Sequence, residues 1–324
     1  MAYLRAFGSY LPARVVANEE IAPMLGVDPE WILSASGIAE RRFAAPSESV
    51  AGLAGEAARD CLAAAGLSAN EIDLLLVASG SAERRFPGPA AAVGMALGIP
   101  GTPAIDLPLA SAGSLFGLAV AAGLCGKYRH ILVIGAEIMS RIIDFAPDAK
   151  DVAILFGDGA GACLVSAESG GARVIDWLLA SDGEFAPALE LNFESPLKMD
   201  GRTVILQAAR KLPRAIRDLA ERNQVALPDI GAFLLHQANR NLTARVAHAL
   251  GVSESRIFQN VGRYGNTSSA SLLIAACEWW RCAGPSSGAP IVFAAFGAGL
   301  NWGALLAAPC QDSDAPSRDT AKEG

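Results

Sequence analysis

The residues best suited to chemistry in this chain are a serine, a histidine and an asparagine that lie far apart in sequence: Ser111, His236 and Asn266. Each one ends an apolar, strand-like run or begins a helix-like segment, and α/β proteins place their sites at these points. A nucleophile, a base and a carboxamide that binds a carbonyl oxygen are the groups that acyl transfer requires. Together the three residues predict an acyl-transfer site with Ser111 as the nucleophile.

Each of these residues also has a purely structural interpretation. Serine is a favoured helix N-cap, and Ser111 stands at the start of a helix predicted to run to about Cys125. A buried histidine is often held by ordinary hydrogen bonds, and an asparagine between Gly265 and Thr267 suits a turn. Taken singly, the residues leave structural and catalytic roles open.

Composition narrows the class of protein. The chain has 324 residues, of which 52% are hydrophobic and 18% charged, and its net charge is −7. Such a chain builds a large buried core and lacks the basic surface that nucleic-acid binding needs. It has no apolar run of the roughly 18 residues that span a membrane, and no signal peptide at its start. Six scattered cysteines without CxxC spacing and three histidines predict reduced thiols, no metal site and a cytoplasmic protein.

The order of elements predicts an α/β fold with a largely parallel sheet. Continuous apolar runs at 72–78 and 131–135 are typical of strands buried on both faces, and helical patterns alternate with them. The same outline begins again after residue 170. We therefore expect one half over 1–170 that carries Ser111, a second over 171–309 that carries His236 and Asn266, and the site between them. Residues 310–324 are polar and are predicted to form a disordered tail.

Several short segments match the sequence motifs of one known family. They are Gly8-Ser-Tyr-Leu-Pro12, Glu30-Trp31-Ile32, Gly37-Ile-Ala-Glu-Arg41, Asp106-Leu-Pro-Leu-Ala-Ser-Ala-Gly113, Phe156-Gly-Asp-Gly-Ala-Gly161, His236-Gln-Ala-Asn239, Tyr264-Gly-Asn-Thr-Ser-Ser-Ala-Ser271 and Phe296-Gly-Ala-Gly-Leu-Asn-Trp302. In order and with few gaps, from about residue 3 to 307, they resemble the β-ketoacyl-acyl-carrier-protein synthase III family. The resemblance implies the thiolase fold, in which two duplicated α/β halves form five αβαβα layers. It also implies a homodimeric acyltransferase that uses acyl-coenzyme A or an acyl-carrier-protein thioester and no separate cofactor.

The resemblance also assigns roles to individual residues. His236 and Asn266 match the pair that binds the thioester carbonyl and assists the release of carbon dioxide from a malonyl unit. The backbone N–H groups of Gly299 and Ser111 are expected to form the oxyanion hole. Phe86 matches a residue that reaches across the dimer and bounds the partner's acyl pocket. The glycines of 157–161 are expected to serve close packing and not to bind a nucleotide.

The nucleophile position departs from the family pattern. Relatives use cysteine where this chain has Ser111, and none of the six cysteines aligns near it. A serine hydroxyl is far less acidic than a thiol and needs a base, for which His236 is the candidate. Acyl-serine is an oxyester and a poorer acyl donor to a carbanion, so acyl loading, hydrolysis or transfer to oxygen or nitrogen gains weight. The chain is similar in this respect to serine-bearing relatives that select starter units in aromatic polyketide pathways.

The residues expected to bind the acyl donor depart as well. The predicted substrate-binding set is Trp31, Phe86, Lys150, Asn239 and Arg240, in which Trp31 matches the residue that stacks on adenine and Lys150 replaces an arginine. At two further positions where the family has arginine, this chain has Ala35 and Asn241. A carrier-protein donor is therefore also open, and its acidic surface would need a basic face. Helical spacing offers one at Arg210, Lys211, Arg214 and Arg217, with Arg240 and Arg245 following, although a solvated helix face explains the same spacing.

Three functions come out of these patterns. The first is an acyltransferase of specialised, polyketide-type metabolism. The second is a catalytically weak or inactive subunit that supports a partner synthase, which the loss of cysteine favours and the retention of His236 and Asn266 opposes. The third, a simple serine hydrolase, is disfavoured because Leu109-Ala-Ser-Ala-Gly113 lacks the first glycine of the nucleophile elbow.

Overall fold

A computed structural model describes residues 1–192, 195–285 and 288–310, so the predicted tail lies outside the described residues except for its first residue. The strands are β1 (Tyr3–Tyr10), β2 (Arg14–Ala17), β3 (Glu40–Phe43), β4 (Leu74–Ala78), β5 (Ala104–Leu107), β6 (His130–Glu137), β7 (Gly159–Ser166), β8 (Ala172–Ser181), β9 (Leu189–Glu190), β10 (Lys198–Met199), β11 (Ala232–Leu235), β12 (Ile257–Phe258), β13 (Ile291–Gly297) and β14 (Asn301–Pro309). The helices are α1 (Asn18–Leu25), α2 (Pro29–Ser36), α3 (Val50–Ala65), α4 (Pro89–Ala96), α5 (Gly113–Leu124), α6 (Lys150–Ala153), α7 (Gly201–Arg222), α8 (Arg240–Leu250), α9 (Val261–Tyr264) and α10 (Ser271–Cys282).

The main sheet shows the expected duplication. Its ten strands run in the order β12-β11-β13-β14-β8-β1-β7-β6-β4-β5. Strands β1 and β8 meet through only two residue pairs, so the sheet divides there into two sets of five. Within each set the strands follow the same order: β1, β7, β6, β4, β5 in one half, and β8, β14, β13, β11, β12 in the other.

The prediction of a largely parallel sheet is wrong. Parallel pairing occurs only around β4 and around β11, and the other neighbours in the sheet are antiparallel. An apolar run shows that both faces of a strand are buried, but it carries no information about strand direction. The short connection from β13 to β14 permits only an antiparallel pair, because a parallel pair needs a crossover of a dozen or more residues.

The layers follow from which helix face each half-sheet buries. Helices α5 and α10 contact strands of both halves and form the central layer. Helices α3 and α4 cover the outer face of the first half, while α7 and α8 cover that of the second. Three separate buried apolar clusters fill the spaces between these layers. This is the five-layered αβαβα arrangement of the thiolase fold.

A smaller structure is attached to the first half and carries Trp31. It consists of α1, α2 and the antiparallel strand pair β2–β3 that encloses them in sequence, with its own apolar cluster against residues 139–156. The fully buried Arg41 joins it to the body, because its guanidinium donates to Asn18 Oδ1 at 2.7 Å and to the Ile154 carbonyl at 2.9 Å. Burial lowers the pKa of Arg41 to about 10.

Among the described residues, no helix combines the length and the apolar character needed to cross a bilayer.

The glycines of the segment 156–161 lie where backbones approach each other. A Cβ on Gly161 would lie 2.6 Å from the Leu273 Cβ and 2.7 Å from the Ile274 nitrogen, so β7 contacts α10 without space for a side chain. The segment therefore serves packing between a strand and the central helix.

We expect Gly161→Ala to lower the free energy of unfolding by about 1–3 kcal/mol, because the added methyl overpacks this contact. Gly101→Ala is the matched control, since a Cβ there meets nothing within 4 Å. Urea unfolding of both variants checks the expectation. Equal stabilities would show that the β7–α10 contact relaxes at no cost.

Candidate active site

One cavity of about 590 Å³ brings the three predicted catalytic residues together. Ser111, His236 and Asn266 all line it, and Trp31 lines it as well. Both halves of the chain contribute to its wall, as predicted. The apolar part of the lining is supplied by Ile154, Leu155, Phe156, Val204, Ile205, Ala208, Leu212 and Phe296.

Ser111 occupies a strained turn between β5 and α5. Its φ is 62°, in the left-handed region that residues other than glycine rarely adopt. The interpretation of Ser111 as a helix N-cap is wrong, since α5 begins at Gly113 and Ala112 stands at its N-cap position. Holding a serine in this conformation costs of the order of 1–3 kcal/mol, which an ordinary cap does not require.

The turn at Ser111 is pressed against the end of β13. A Cβ on Gly297 would lie 2.9 Å from the Ser111 Cβ and 2.7 Å from the Ala112 nitrogen, and it would also overlap the Ala110 carbonyl oxygen. Glycine is therefore required at this position by the close approach of two backbones. The contact fixes Ser111 relative to the second half of the molecule.

The expected oxyanion hole has a different hydrogen-bond pattern in this structure. The Ser111 N–H donates to the Ser268 hydroxyl oxygen at 3.0 Å and is therefore occupied. Gly299 has a φ of 121°, which favours glycine, and the Asn301 amide packs against its Cα. Gly299 is not among the residues that line the cavity. The oxyanion role of these two N–H groups stays a prediction.

His236 follows β11 and is held in one orientation by Ser271. The His236 Nδ1 lies 2.5 Å from the Ser271 hydroxyl oxygen, which also accepts from the Gln237 N–H at 3.1 Å. The described contacts give the Ser271 hydroxyl no other acceptor, so its proton is best placed toward Nδ1. Leaving that buried proton unpaired would cost about 1–3 kcal/mol. The favoured tautomer therefore carries its hydrogen on Nε2.

Burial also sets the charge of His236. Desolvation lowers its pKa to about 4, so the imidazole is neutral near pH 7. A neutral ring with hydrogen on Nε2 donates to a carbonyl oxygen and does not accept a proton there. This geometry favours carbonyl binding over the role of base that the sequence alone suggested for His236.

Asn266 is fixed by both its backbone and its side chain. Its N–H donates to the Leu155 carbonyl at 2.8 Å, and its carbonyl accepts from the Gly157 N–H at 3.1 Å. Its Oδ1 accepts from the Ser268 N–H at 2.9 Å, which leaves the Nδ2 hydrogens to act as donors. The sequence predicted that Asn266 begins a helix, and this prediction is wrong. The helix α10 begins only at Ser271, after a short 3-10 turn.

Trp31, the residue predicted to stack on adenine, lines the cavity. The Lys150 ammonium lies 5.4 Å from the centroid of the Trp31 ring, within cation–π range, although Lys150 does not line the cavity. Ala35 and Asn241 both line the cavity, and the Asn241 amide donates to the Ala35 carbonyl at 2.8 Å. The two positions at which the family resemblance predicts arginine are therefore neighbours here, and both are neutral.

Other predicted substrate residues divide into two groups. Asn239 lines the cavity, and its side chain caps α8 by accepting from the Leu242 N–H at 2.8 Å. Arg240 and Phe86 do not line it. Arg240 is exposed and extends over Gly37, while Phe86 is 86% exposed on the loop before α4.

Two arginines outside the predicted substrate-binding set line the cavity. Arg202 and Arg245 are both in its wall and exposed to solvent. Arg245 was predicted only as part of a basic face, and Arg202 was not predicted at all. Arg245 lies four residues after Asn241 on α8, which places it on the same helix face one turn away.

The basic face predicted on α7 is narrower than its sequence suggests. Arg210 and Arg214 are exposed, but Arg210 donates to Gln207 Oε1 at 3.0 Å and the Arg214 Nε lies 3.6 Å from the Asp218 carboxylate. The Arg217 guanidinium donates to the Ala249 carbonyl. The placement of Lys211 on this polar face is wrong, because its side chain is buried and its ammonium lies 2.6 Å from an Asp182 oxygen and 4.2 Å from the centroid of the Trp302 ring. The basic series is therefore partly engaged by neighbours within the chain.

No cysteine among the described residues lines the cavity. Burial raises the pKa of the Cys61, Cys163 and Cys277 thiols, which disfavours the thiolate in each of them. Ser111 therefore has no nearby thiol substitute. Within the described part of the chain, no group of three or more His, Cys, Asp or Glu side chains is placed to hold a metal ion.

Comparison with known proteins gives one consistent result. Residues 105–183 match the family described as 3-oxoacyl-[acyl-carrier-protein (ACP)] synthase III, and residues 220–308 match its C-terminal counterpart. A β-ketoacyl-[acyl-carrier-protein] synthase III from Nostoc sp. is 35% identical over 318 residues, which cover 92% of this chain and 95% of the relative.

Solved structures extend the similarity. The crystal structure of 3-oxoacyl-[acyl-carrier-protein] synthase III from Aquifex aeolicus matches with a TM-score of 0.91 and 31% identity, over 95% of this chain and 100% of that one. The priming β-ketosynthase from the R1128 polyketide biosynthetic pathway matches with a TM-score of 0.89 and 31% identity, over 95% and 96% of the two chains.

The lowered pKa of His236 predicts a pH dependence of stability. As the pH falls below 6.5 the unfolded chain takes up a proton on this histidine, whereas the native protein resists until about pH 4. Stability is therefore unaffected above pH 6.5 and lost between 6.5 and 4. From pH 7.5 to 5, His236→Gln should lose less free energy of unfolding than the wild type by roughly 2 kcal/mol.

Urea unfolding at the two pH values measures this difference. The exposed His248 supplies the control, because His248→Gln should keep the wild-type dependence. A His236→Gln variant with the same pH dependence as the wild type would contradict the burial-induced shift.

Proposed function

Because the chain belongs to the β-ketoacyl-acyl-carrier-protein synthase III family, we propose that it is an acyltransferase that carries a short acyl group on the Ser111 hydroxyl. The observation that carries the proposal is the left-handed backbone of Ser111. This strained residue lies in the same cavity wall as His236 and Asn266. Strain of this kind is maintained where the surrounding structure fixes it, and it clusters at functional sites.

The first step is attack of the Ser111 oxygen on the thioester carbonyl of the donor. A carbon–oxygen bond forms and the carbon–sulfur bond breaks. The serine proton ends on the departing sulfur, so the products are acyl-Ser111 and a free thiol. The His236 Nε2–H and the Asn266 Nδ2–H₂ are the donors available to the carbonyl oxygen as it gains charge.

The second step passes the acyl group to an acceptor. With a hydroxyl or amine acceptor, the acceptor proton returns to Ser111 and an ester or amide is released. With a malonyl thioester, loss of carbon dioxide yields an enolate that His236 and Asn266 stabilise as donors. The enolate carbon then displaces the serine oxygen, which takes a proton from solvent. The oxyester favours the oxygen or nitrogen acceptor, because its transfer to carbon is less favourable than that of a thioester.

A role in supplying starter units to polyketide-type metabolism is the biological context we propose. The structural similarity to the R1128 priming β-ketosynthase supports it, since that protein belongs to such a pathway by its name. The proposed donor is an acyl-coenzyme A or an acyl carrier protein. Arg202 and Arg245 line the cavity, and Arg240 lies in sequence between the lining residues Asn239 and Asn241. These three arginines are the cations best placed to meet a phosphate or an acidic carrier.

Incubation with acetyl-, propionyl- and malonyl-coenzyme A should yield an acyl adduct on the peptide that contains Ser111, detected by mass spectrometry of the intact protein and its digest. The adduct should be absent from Ser111→Ala. Ser111→Cys should accumulate the adduct faster, because a thiol ionises more readily than a hydroxyl. Absence of an adduct with all three donors, in a folded protein that a partner synthase requires, would favour the non-catalytic subunit instead.

We also propose that the chain forms a homodimer through the free edge of β5. Among the described strands, β5 pairs only with β4, so its other edge is unpaired. Large apolar side chains are exposed around it: Ile105 is 45% exposed, Met95 67% and Phe86 86%. Pairing of two such edges would remove an aggregation-prone edge and bring Phe86 toward the second subunit.

Ile105→Arg should therefore shift the protein from dimer to monomer in light scattering coupled to size exclusion, because a charge is placed in the paired edge. Met24→Arg changes a similarly exposed side chain on α1, 47% exposed, and should leave the dimer intact. A wild-type chain that elutes as a monomer at micromolar concentration would contradict this interface.

A further inference from the structure

A buried carboxylate is connected to the backbone of the proposed nucleophile through a single serine hydroxyl, that of Ser268. Glu137 ends β6, is fully buried, and is the single charged residue after the apolar stretch Ile131–Ala136. Hydroxyl or N–H groups from Ser79, Gly80, Ser81, Ser268 and Ser269 lie within hydrogen-bond distance of it. None of the contacts described for Glu137 comes from a basic side chain. The described hydrogen-bond donors to its carboxylate are therefore all neutral.

The two carboxylate oxygens accept from different segments, apart from the Gly80 N–H, which lies 3.0 Å from both of them. Oε2 accepts from the loop after β4, through the Ser79 hydroxyl at 3.2 Å and the Ser81 N–H at 2.9 Å. Oε1 accepts from the turn before α10, through the Ser268 hydroxyl at 2.9 Å and the Ser269 hydroxyl at 2.6 Å. Glu137 therefore connects the first half of the chain to the element that carries Asn266.

Ser268 transmits this connection to the Ser111 backbone. Because the Ser268 proton is donated to Glu137, the oxygen keeps its lone pairs for the Ser111 N–H, which donates to it at 3.0 Å. Ser268 itself has a φ of 47°, so two residues in left-handed conformations, Ser111 and Ser268, are joined by one hydrogen bond. Neither conformation is favoured for serine without such external support.

Ser268 also orients the Asn266 amide. The Ser268 N–H donates to Asn266 Oδ1 at 2.9 Å, which fixes the Nδ2 end as the donor. A change in the Ser268 conformation would therefore disturb both the nucleophile turn and the amide. The Glu137 carboxylate stabilises that conformation by accepting from the Ser268 hydroxyl at 2.9 Å.

We propose that Glu137 is a positioning residue for acyl transfer, acting through Ser268 on the backbone of Ser111 and the amide of Asn266. This inference rests on the proposed function of Ser111. A carboxylate suits the role because it only accepts, so the Ser79, Ser81 and Ser268 hydroxyls point their protons toward it, while the Ser269 hydroxyl also has the Leu109 carbonyl within reach at 2.9 Å. In Glu137→Gln the amide end donates, and one or more of these hydroxyls loses its acceptor.

The test compares the Oε1 and Oε2 sides of the carboxylate. Ser268→Ala removes the hydroxyl on the path to Ser111, and Ser79→Ala removes a hydroxyl from the opposite oxygen. The acylation rate constant of Ser111 at saturating acetyl-coenzyme A should fall at least tenfold in Glu137→Gln and in Ser268→Ala, with the half-saturating concentration within threefold of the wild-type value. Ser79→Ala should stay within twofold of the wild-type rate.

The double variant Glu137→Gln/Ser268→Ala should be no slower than the slower single variant, because both changes interrupt one path. Equal losses in Ser79→Ala and Ser268→Ala would overturn the proposal and make Glu137 a structural residue only. Should Glu137→Gln fail to fold, the comparison of the two serine variants still decides the outcome.

A crystallographic readout separates this inference from the proposed function. In Ser268→Ala, the Ser111 φ should leave the left-handed region or the Asn266 amide should rotate, whether or not the wild type is acylated by any donor. An unchanged Ser111 turn and Asn266 amide in that variant would overturn the positioning role even if Ser111 acylation itself is confirmed.

Discussion

The close contact of two backbones at Ser111 and Gly297 is the constraint on which this molecule depends. It joins the start of the central helix α5 to the end of β13, and a single methyl group at residue 297 would overlap it. The central layer must bring these points together because α5 and α10 are packed between both half-sheets. The packing of the central helices between the two halves thus also brings the polar ends of these elements together, and the site forms where the halves meet.

The polar groups at this meeting point are neutral and directional. His236 is buried and uncharged, with its Nδ1 engaged by Ser271, and Asn266 has its oxygen engaged by Ser268. Both residues are left with N–H groups to offer, which suits a substrate that becomes negative at oxygen. A preorganised donor pair of this kind stabilises a tetrahedral intermediate or an enolate equally well. None of the hydrogen bonds described for the His236 and Asn266 side chains involves the Ser111 hydroxyl, so the orientation of these donors does not depend on the side-chain atom at residue 111.

The cavity wall carries arginines at positions other than those where the family resemblance predicts them. Ala35 and Asn241, at two of the predicted arginine positions, are neutral neighbours, whereas Arg202 and Arg245 line the cavity from α7 and α8. The Lys150 ammonium lies beside the Trp31 ring. Arg245 follows Asn241 by four residues on α8, which is about one helical turn.

The sequence by itself determined the elements, the buried strands and the identity of the three site residues. Apolar runs are local signals, so the buried strands β4 and β6 followed directly from the runs at 72–78 and 131–135. The family wording placed Ser111, His236 and Asn266 in one site. Tertiary structure alone decided the antiparallel pairing around β1 and β8, the burial of Lys211, and the left-handed turn at Ser111. It also decided the placement of Glu137, a residue whose partners come from segments 56 to 132 positions away in sequence. These features depend on which distant segments meet, and local periodicity carries no information about such contacts.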